Sequence, residues 1–324
     1  MEIVWTIIFI LFGVAAGALI ALLNRRWDAV IRSREDYDED VDGKMTKKER
    51  QAFEARKEAE AKLTRMPFRD VVKERPGRFA VYLFLGVVAP VSLVLRYGVD
   101  ASTCLLLAFL LILTLISFID LDTQEIPFSL NVAVFGLGLI SVVIAPDLST
   151  KDRLLGVLFL LIIGVIDWVM IDLIDVPEKH WTLLMFGQAV MAFLPGLLIN
   201  ILAKPADFVS DRIIGMICIS SLLILLNAIV WAMRGLYAFG FGDIKLMIAA
   251  GALLGWKATV SGFFMGAIVG GVISVILLIR KKKGGKEHIP FGPSLCIGLY
   301  LAILFGVQLI DWYIEILKRS MGKA

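Results

Sequence analysis

Several aspartates of this chain stand in or beside long apolar runs: Asp120, Asp122, Asp167, Asp172, Asp175, Asp243 and Asp311. A carboxylate in or next to hydrocarbon is costly and needs a reason. From residue type alone the group marks either a functional polar site or the water-facing ends of membrane spans. Asp243 stands in Gly240-Phe241-Gly242-Asp243-Ile244-Lys245. Two glycines before an acid allow close backbone approach and unusual dihedral angles. At a helix start the carboxylate also meets free backbone N–H groups, so a simple N-terminal cap is the alternative reading of these residues. Lys245 has the alternative of snorkelling to the membrane surface. Asp120 opens Asp120-Leu121-Asp122-Thr123-Gln124-Glu125-Ile126-Pro127, where polar residues end an apolar run and a proline stops its continuation. An ordinary solvated turn fits that pattern too, and fits Asp122 and Glu125 better than Asp120. Asp167 and Asp172 flank Trp168 and face either the bundle interior or a water cavity. Asp175 reads as a loop cap, and Asp311, beside Trp312 and Tyr313, as part of an aromatic belt.

The elements that position these acids are membrane helices. Apolar residues make up 59% of the 324, well above a soluble domain. They fall in uncharged runs of about 20 residues, the length that matches bilayer hydrocarbon. The pattern predicts an all-α, polytopic transmembrane bundle of about ten spans: 3–23, 79–96, 101–119, 129–146, 153–174, 181–203, 213–232, 244–256, 258–279 and 293–314. The segment 244–256 is short for a full crossing. The first run starts with Glu2 and ends in Asn24-Arg25-Arg26 without a small-residue cleavage site, so it reads as a permanent span. Three parts follow: a first span over 1–23, a charged cytosolic loop or helical hairpin over 24–78, and a membrane domain over 79–314.

The net charge of +3, from 33 basic and 30 acidic residues, is too small and too mixed to argue for nucleic acid. Cys104, Cys218 and Cys296 lie far apart in apolar runs and read as packing residues, with no CxxC pair. Within 24–78, Thr46 and Glu49 have capping-box spacing, and Glu58 and Lys62 are a favourable i,i+4 pair. Arg280, Lys281, Lys282, Lys283 and Lys286 crowd one connection, which the positive-inside rule places in the cytosol. Counting spans from there puts Asp120 and Asp243 at cytosolic span ends.

Three segments resemble the type IV prepilin peptidases, intramembrane aspartic proteases with a GxGD signature. Ser117-Phe118-Ile119-Asp120-Leu121-Asp122, followed by Ile126-Pro127, is similar to their first aspartate motif. Gly240-Phe241-Gly242-Asp243-Ile244-Lys245-Leu246, followed by Gly251 and Gly255-Trp256, is similar to their GxGD motif. Ile289-Pro290-Phe291-Gly292-Pro293-Ser294-Leu295, then Gly298, is similar to a late PFGP element. The resemblance covers roughly 79–146 and 233–312. It implies a two-aspartate peptidase with Asp120 and Asp243 as catalytic residues, and Gly240, Gly242, Lys245, Pro127 and Gly292 in supporting roles. Two carboxyls held close cannot both ionise cheaply and share a proton, one acting as base on water and the other as acid. No metal, cofactor or covalent intermediate is called for. The implied substrate is the basic leader of a prepilin or pseudopilin, cut at the cytosolic face of a prokaryotic inner membrane for pilus assembly or protein secretion.

Departures from the family pattern are visible. Many bacterial members carry two zinc-holding CxxC pairs in the first loop, and this chain has none. Gly17 and Arg26 match family positions near the first span, but their flanks differ. The N-methyltransferase activity of bifunctional members is in doubt here. An apparent extra helix pair, near 153–232, separates the two aspartate motifs. The competing reading is a transporter or proton-coupled channel in which Asp120, Asp167, Asp172 and Asp243 line a path.

Overall fold

The computed structural model describes residues 13–24, 76–172, 181–280 and 290–321. The expected charged hairpin, apart from its two ends, lies outside the described residues, as do Asp175 and the connection 281–289. Every regular element among the described residues is helical: α1 Gly13–Asn24, α2 Pro76–Tyr97, α3 Ala101–Thr123, α4 Phe128–Ile144, α5 Thr150–Asp172, α6 Trp181–Ala203, α7 Asp207–Arg234, α8 Phe241–Leu254, α9 Trp256–Arg280, α10 Gly292–Leu301 and α11 Val307–Ser320. A short π-helical turn, Ala302–Gly306, joins the last two.

Among the described residues six stretches are long and apolar enough to cross a membrane: Gly77–Tyr97, Ala101–Thr123, Phe186–Ala203, Asp207–Arg234, Trp256–Ile276 and Gly292–Ser320. Gly13–Asn24 and Phe128–Ile144 are apolar but shorter. These lengths and compositions make the chain a multi-pass helical membrane protein. The ten-span pattern includes α8, whose 14 residues rise only about 21 Å against a hydrocarbon slab of about 30 Å.

The chain divides into two compact units, Met1–Glu125 and Ile126–Ala324. In the first, α1 and α2 pack backbone to backbone. A Cβ on Gly17 would stand 2.7 Å from the Tyr82 carbonyl oxygen, and Gly13 meets Gly86 just as closely. The Tyr82 and Phe118 rings join α2 to α3 with centroids 4.1 Å apart. Asp100 starts α3 from an extended backbone, and its carboxylate accepts the Thr103 N–H at 2.6 Å, an N-cap that satisfies one orphan donor.

In the second unit the 14-residue α8 is the central helix. Ile244, Leu246, Met247, Ile248, Ala249, Ala250 and Ala252 of α8 are inaccessible to solvent, and the helix packs against α4, α5, α7 and α9. Small residues permit this, as expected for helices associating in lipid, where close van der Waals packing replaces the hydrophobic effect. A Cβ on Gly215 of α7 would lie 2.8 Å from the Gly255 carbonyl carbon, and Gly251 abuts the Gly215 backbone. Gly138 of α4 meets Ala252 at 2.9 Å in the same sense. Gly255 turns the chain from α8 into α9 with φ +78, a left-handed value that an L side chain resists. Gly298 of α10 lies on Gly262 and Gly266 of α9.

A side chain at Gly251 has backbone for a neighbour and nowhere to go. Gly251→Val is expected to cost at least about 1–3 kcal/mol by overpacking, read as a lower unfolding temperature of the full chain in micelles. Gly136→Ala, where an added methyl meets open space, is expected to leave that temperature unchanged or slightly raised.

Candidate active site

Asp243 sits in the first turn of α8, buried at 8% exposure. Gly240 supplies the extended N-cap position, and its carbonyl accepts the Asp243 N–H at 3.1 Å and the Ile244 N–H at 3.3 Å. Because Gly240 has no capping side chain, the early N–H groups leave a positive helix end close to an acid. Gly242 is closely packed: a Cβ there would come 3.0 Å from the Ile126 Cβ, so that side chain would have to give by a few tenths of an ångström. A Cβ on Gly240 would meet the Asp243 Oδ2 at 3.4 Å, which is ordinary packing.

The loop before Asp243 is held from α7. Asn227 is fully buried, and its Oδ1 accepts the N–H groups of Ala238 at 2.9 Å and Phe239 at 2.8 Å. Its Nδ2 donates to the Phe239 carbonyl at 3.0 Å. One amide thus satisfies three backbone groups that the turn leaves unpaired. Aromatic rings brace the same segment: Trp231 stacks on Tyr237 at 4.8 Å, and Tyr237 meets Phe241 edge-on at 5.1 Å. Phe239 meets Phe291 of the PFGP element at 5.4 Å. Gly292 is buried where α10 begins, followed by Pro293 in the first turn, where a missing N–H is harmless.

Ile126-Pro127 enters from the other side of Gly242. Pro127 is the N-cap residue of α4, and its carbonyl accepts the Leu130 N–H at 3.0 Å. One turn on, Asn131 is wholly buried and its Nδ2 donates to the Gly242 carbonyl at 3.3 Å. Lys245 places its ammonium 5.1 Å from the centroid of Phe128, within cation–π range. The second unit therefore gathers Pro127, Gly240, Gly242, Asp243 and Lys245 around the start of α8, with the PFGP element against the preceding loop.

Asp120 belongs to the first unit. It lies in the last turn of α3, buried at 6% exposure, and its carbonyl accepts the N–H of Gln124, which ends the helix in a left-handed conformation (φ 58). Asp122 is more than the turn residue its sequence suggests. It pairs with Arg78 at the start of α2 and accepts from Asn24 Nδ2 of α1 at 3.2 Å, while Asn24 also donates to the Tyr82 hydroxyl at 3.0 Å. Three helix ends of the first unit are tied together next to Asp120. Of the remaining acids, Asp311 pairs with Lys257 at 2.5 Å. Asp167 is buried on α5 at 1% exposure.

Sequence reasoning missed Asn227, Asn131, Arg78 and Asn24. Each left a trace: a polar residue inside or at the edge of an apolar run demands a partner. No group of three or more His, Cys, Asp or Glu able to hold a metal occurs among the described residues.

A helical multi-pass membrane protein, with one buried aspartate closing a helix and another opening a second, is what fold and motifs define. Comparison with curated proteins narrows this. The chain is 31% identical over 180 residues to a prepilin leader peptidase/N-methyltransferase of Aeromonas hydrophila, covering 54% of this chain and 56% of that protein. It is 29% identical over 181 residues to the protein of that name in Aeromonas salmonicida (55% and 58%). Over 75 residues it is 41% identical to the one in Legionella pneumophila (23% and 26%). The resemblance to the type IV prepilin peptidases is borne out by these relatives. The chain spans just over half the length of the two Aeromonas proteins it matches. No family model and no solved structure matches it.

Asn227→Leu is expected to remove the side-chain partner of three part-buried backbone groups, each costing less than the about 1–3 kcal/mol of a fully buried orphan. Amide hydrogen exchange at Ala238 and Phe239 should quicken by orders of magnitude, while exchange in the middle of α8 changes far less. Unchanged protection at 238 and 239 would show that the loop is held by other means.

Proposed function

We propose that this protein is a membrane aspartic endopeptidase that removes the leader peptides of prepilin-like or pseudopilin precursors. The observation that carries the reading is twofold. Relatives that bear the name prepilin leader peptidase align over more than half of the chain. The two aspartates at the matching motif positions are both buried at helix ends, where an acid without a function would be disfavoured.

In this mechanism Asp120 and Asp243 share one proton. The ionised carboxylate takes a proton from water as water attacks the scissile carbonyl, and the neutral carboxyl donates to the carbonyl oxygen. Their titrations belong to the pair. Gly242 lets Ile126 pack closely beside Asp243, Gly240 supplies the N-cap position of α8, Asn227 fixes the loop, and Lys245 and Pro127 shape the surroundings. Cleavage takes place at the cytosolic face of a prokaryotic plasma membrane, where the basic leader precedes the apolar helix of the substrate. The chemistry requires no metal and no cofactor. The relatives described above bear a peptidase's name, which favours this reading over that of a transporter.

The test is cleavage of a prepilin-like precursor by the full chain in membranes. Asp120→Asn and Asp243→Asn are each expected to lower kcat by on the order of 10²–10⁴-fold or more, with normal membrane expression. Substantial activity in either variant would remove the two-aspartate mechanism. Absence of cleavage by the parent chain, across precursors of differing leader, would remove the peptidase reading.

A further inference from the structure

Asp167 is the buried acid that the mechanism above leaves unused. It is 1% exposed, and neither carboxylate oxygen has a hydrogen-bond partner among the described residues. An ionised carboxylate in that condition inside an apolar bundle carries a prohibitive desolvation cost. As the neutral acid it has one O–H to donate, and the question becomes which acceptor it faces.

The register of α4 against α5 answers it. A Cβ on Gly156 of α5 would touch Val142 Cγ1 of α4 at 2.9 Å, so these two positions face each other across an antiparallel pair. Asn131 precedes Val142 by eleven residues (142 − 131), and Asp167 follows Gly156 by eleven (167 − 156). Eleven residues are three helical turns and return to the same face within about 20°. Both steps run toward the same end of the pair, so they climb the same height. The helices stay in contact that far, because Gly164 abuts the ring of Phe135 and Trp168 packs on Phe128 at 5.1 Å. Asp167 therefore stands opposite Asn131. The Oδ1 of Asn131 is itself buried without a hydrogen-bond partner among the described residues. Its Nδ2 holds the carbonyl of Gly242.

We infer that Asp167 and Asn131 form a buried carboxyl–amide relay: the Asp167 O–H donates to Asn131 Oδ1, directly or through one water, and the amide so oriented fixes the Gly242 carbonyl next to Asp243. Asp167 is a positioning residue in this scheme. It touches no reacting atom and acts through Asn131 on the turn that carries the catalytic acid. The inference deepens the peptidase reading and, as far as catalysis is concerned, rests on it. Trp168, wedged between Phe128 and Phe135, holds α5 at the height the relay needs.

Two measurements on the full chain in lipid vesicles separate the relay from the reading on which it rests. Infrared spectroscopy is expected to show the C=O stretch of a neutral, hydrogen-bonded carboxylic acid that disappears in Asp167→Asn and moves to the frequency of an unbonded acid in Asn131→Leu. Absence of any Asp167-dependent neutral-acid band, or a band indifferent to Asn131→Leu, overturns the relay whether or not the chain cleaves anything. In cleavage assays Asp167→Asn, whose amide N–H replaces the O–H donor, is expected to keep kcat within about threefold. Asp167→Leu is expected to lower kcat by about 10²-fold with KM unchanged, the size of effect that a small misplacement produces. Equal activity in the Leu and Asn variants, or a loss confined to KM, overturns the positioning role. A parent chain that cleaves nothing overturns the peptidase reading and, with it, the catalytic half of this inference, while the infrared result stands alone.

Discussion

Inside an apolar bundle every polar group must find its partner within the protein, because hydrocarbon offers none. That constraint organises the whole of this structure. Several buried or half-buried polar residues near helix ends are committed to backbone or to a charged neighbour. Asn227 absorbs the unpaired groups of the loop before α8, Asn131 takes the Gly242 carbonyl, and Asp122 gathers Arg78 and Asn24. The glycines supply the other half. They allow helices to approach until backbones touch, so that α8 becomes the hub of the second unit. An acid on the first turn of such a hub has its position fixed from several sides at once.

The parts of the fold that were legible in the sequence are those carried by hydropathy and by local motifs. Long uncharged runs marked α2, α3, α7 and α9 because their length matches a bilayer and nothing else explains it. The GxGD segment announced a helix start, since glycine, glycine and acid in that spacing fit an N-terminus, and the structure begins α8 at Phe241. The proline at 127 marked where the run carrying Asp120 stops, and α4 begins directly after it. What stayed hidden depends on partners distant along the chain. Nothing near Asn227 says that its amide closes a turn eleven residues later, and Asp122 looked solvated because Arg78 and Asn24 lie 44 and 98 residues away.

Span counting met a limit of a different kind. Hydropathy measures how apolar a segment is but not what surrounds it. A helix sheathed by other helices and one facing lipid give the same score. α8 shows the difference: it is apolar because it is packed against protein on all sides, and its composition, rich in alanine and glycine, is a packing composition rather than a lipid-facing one. Asp167 is the converse. A single acid in an otherwise apolar stretch hardly alters a window average, although it decides what α5 does.

The brevity of α8 carries a consequence for the surrounding membrane. A rod about 21 Å long is shorter than a slab of about 30 Å, and its sides are covered by protein rather than lipid. Bilayer thickness therefore reaches this hub only through the helices that sheathe it. A thicker or thinner membrane would act first on the tilt of those outer helices, leaving the turn that carries Asp243 shielded from the lipid around it.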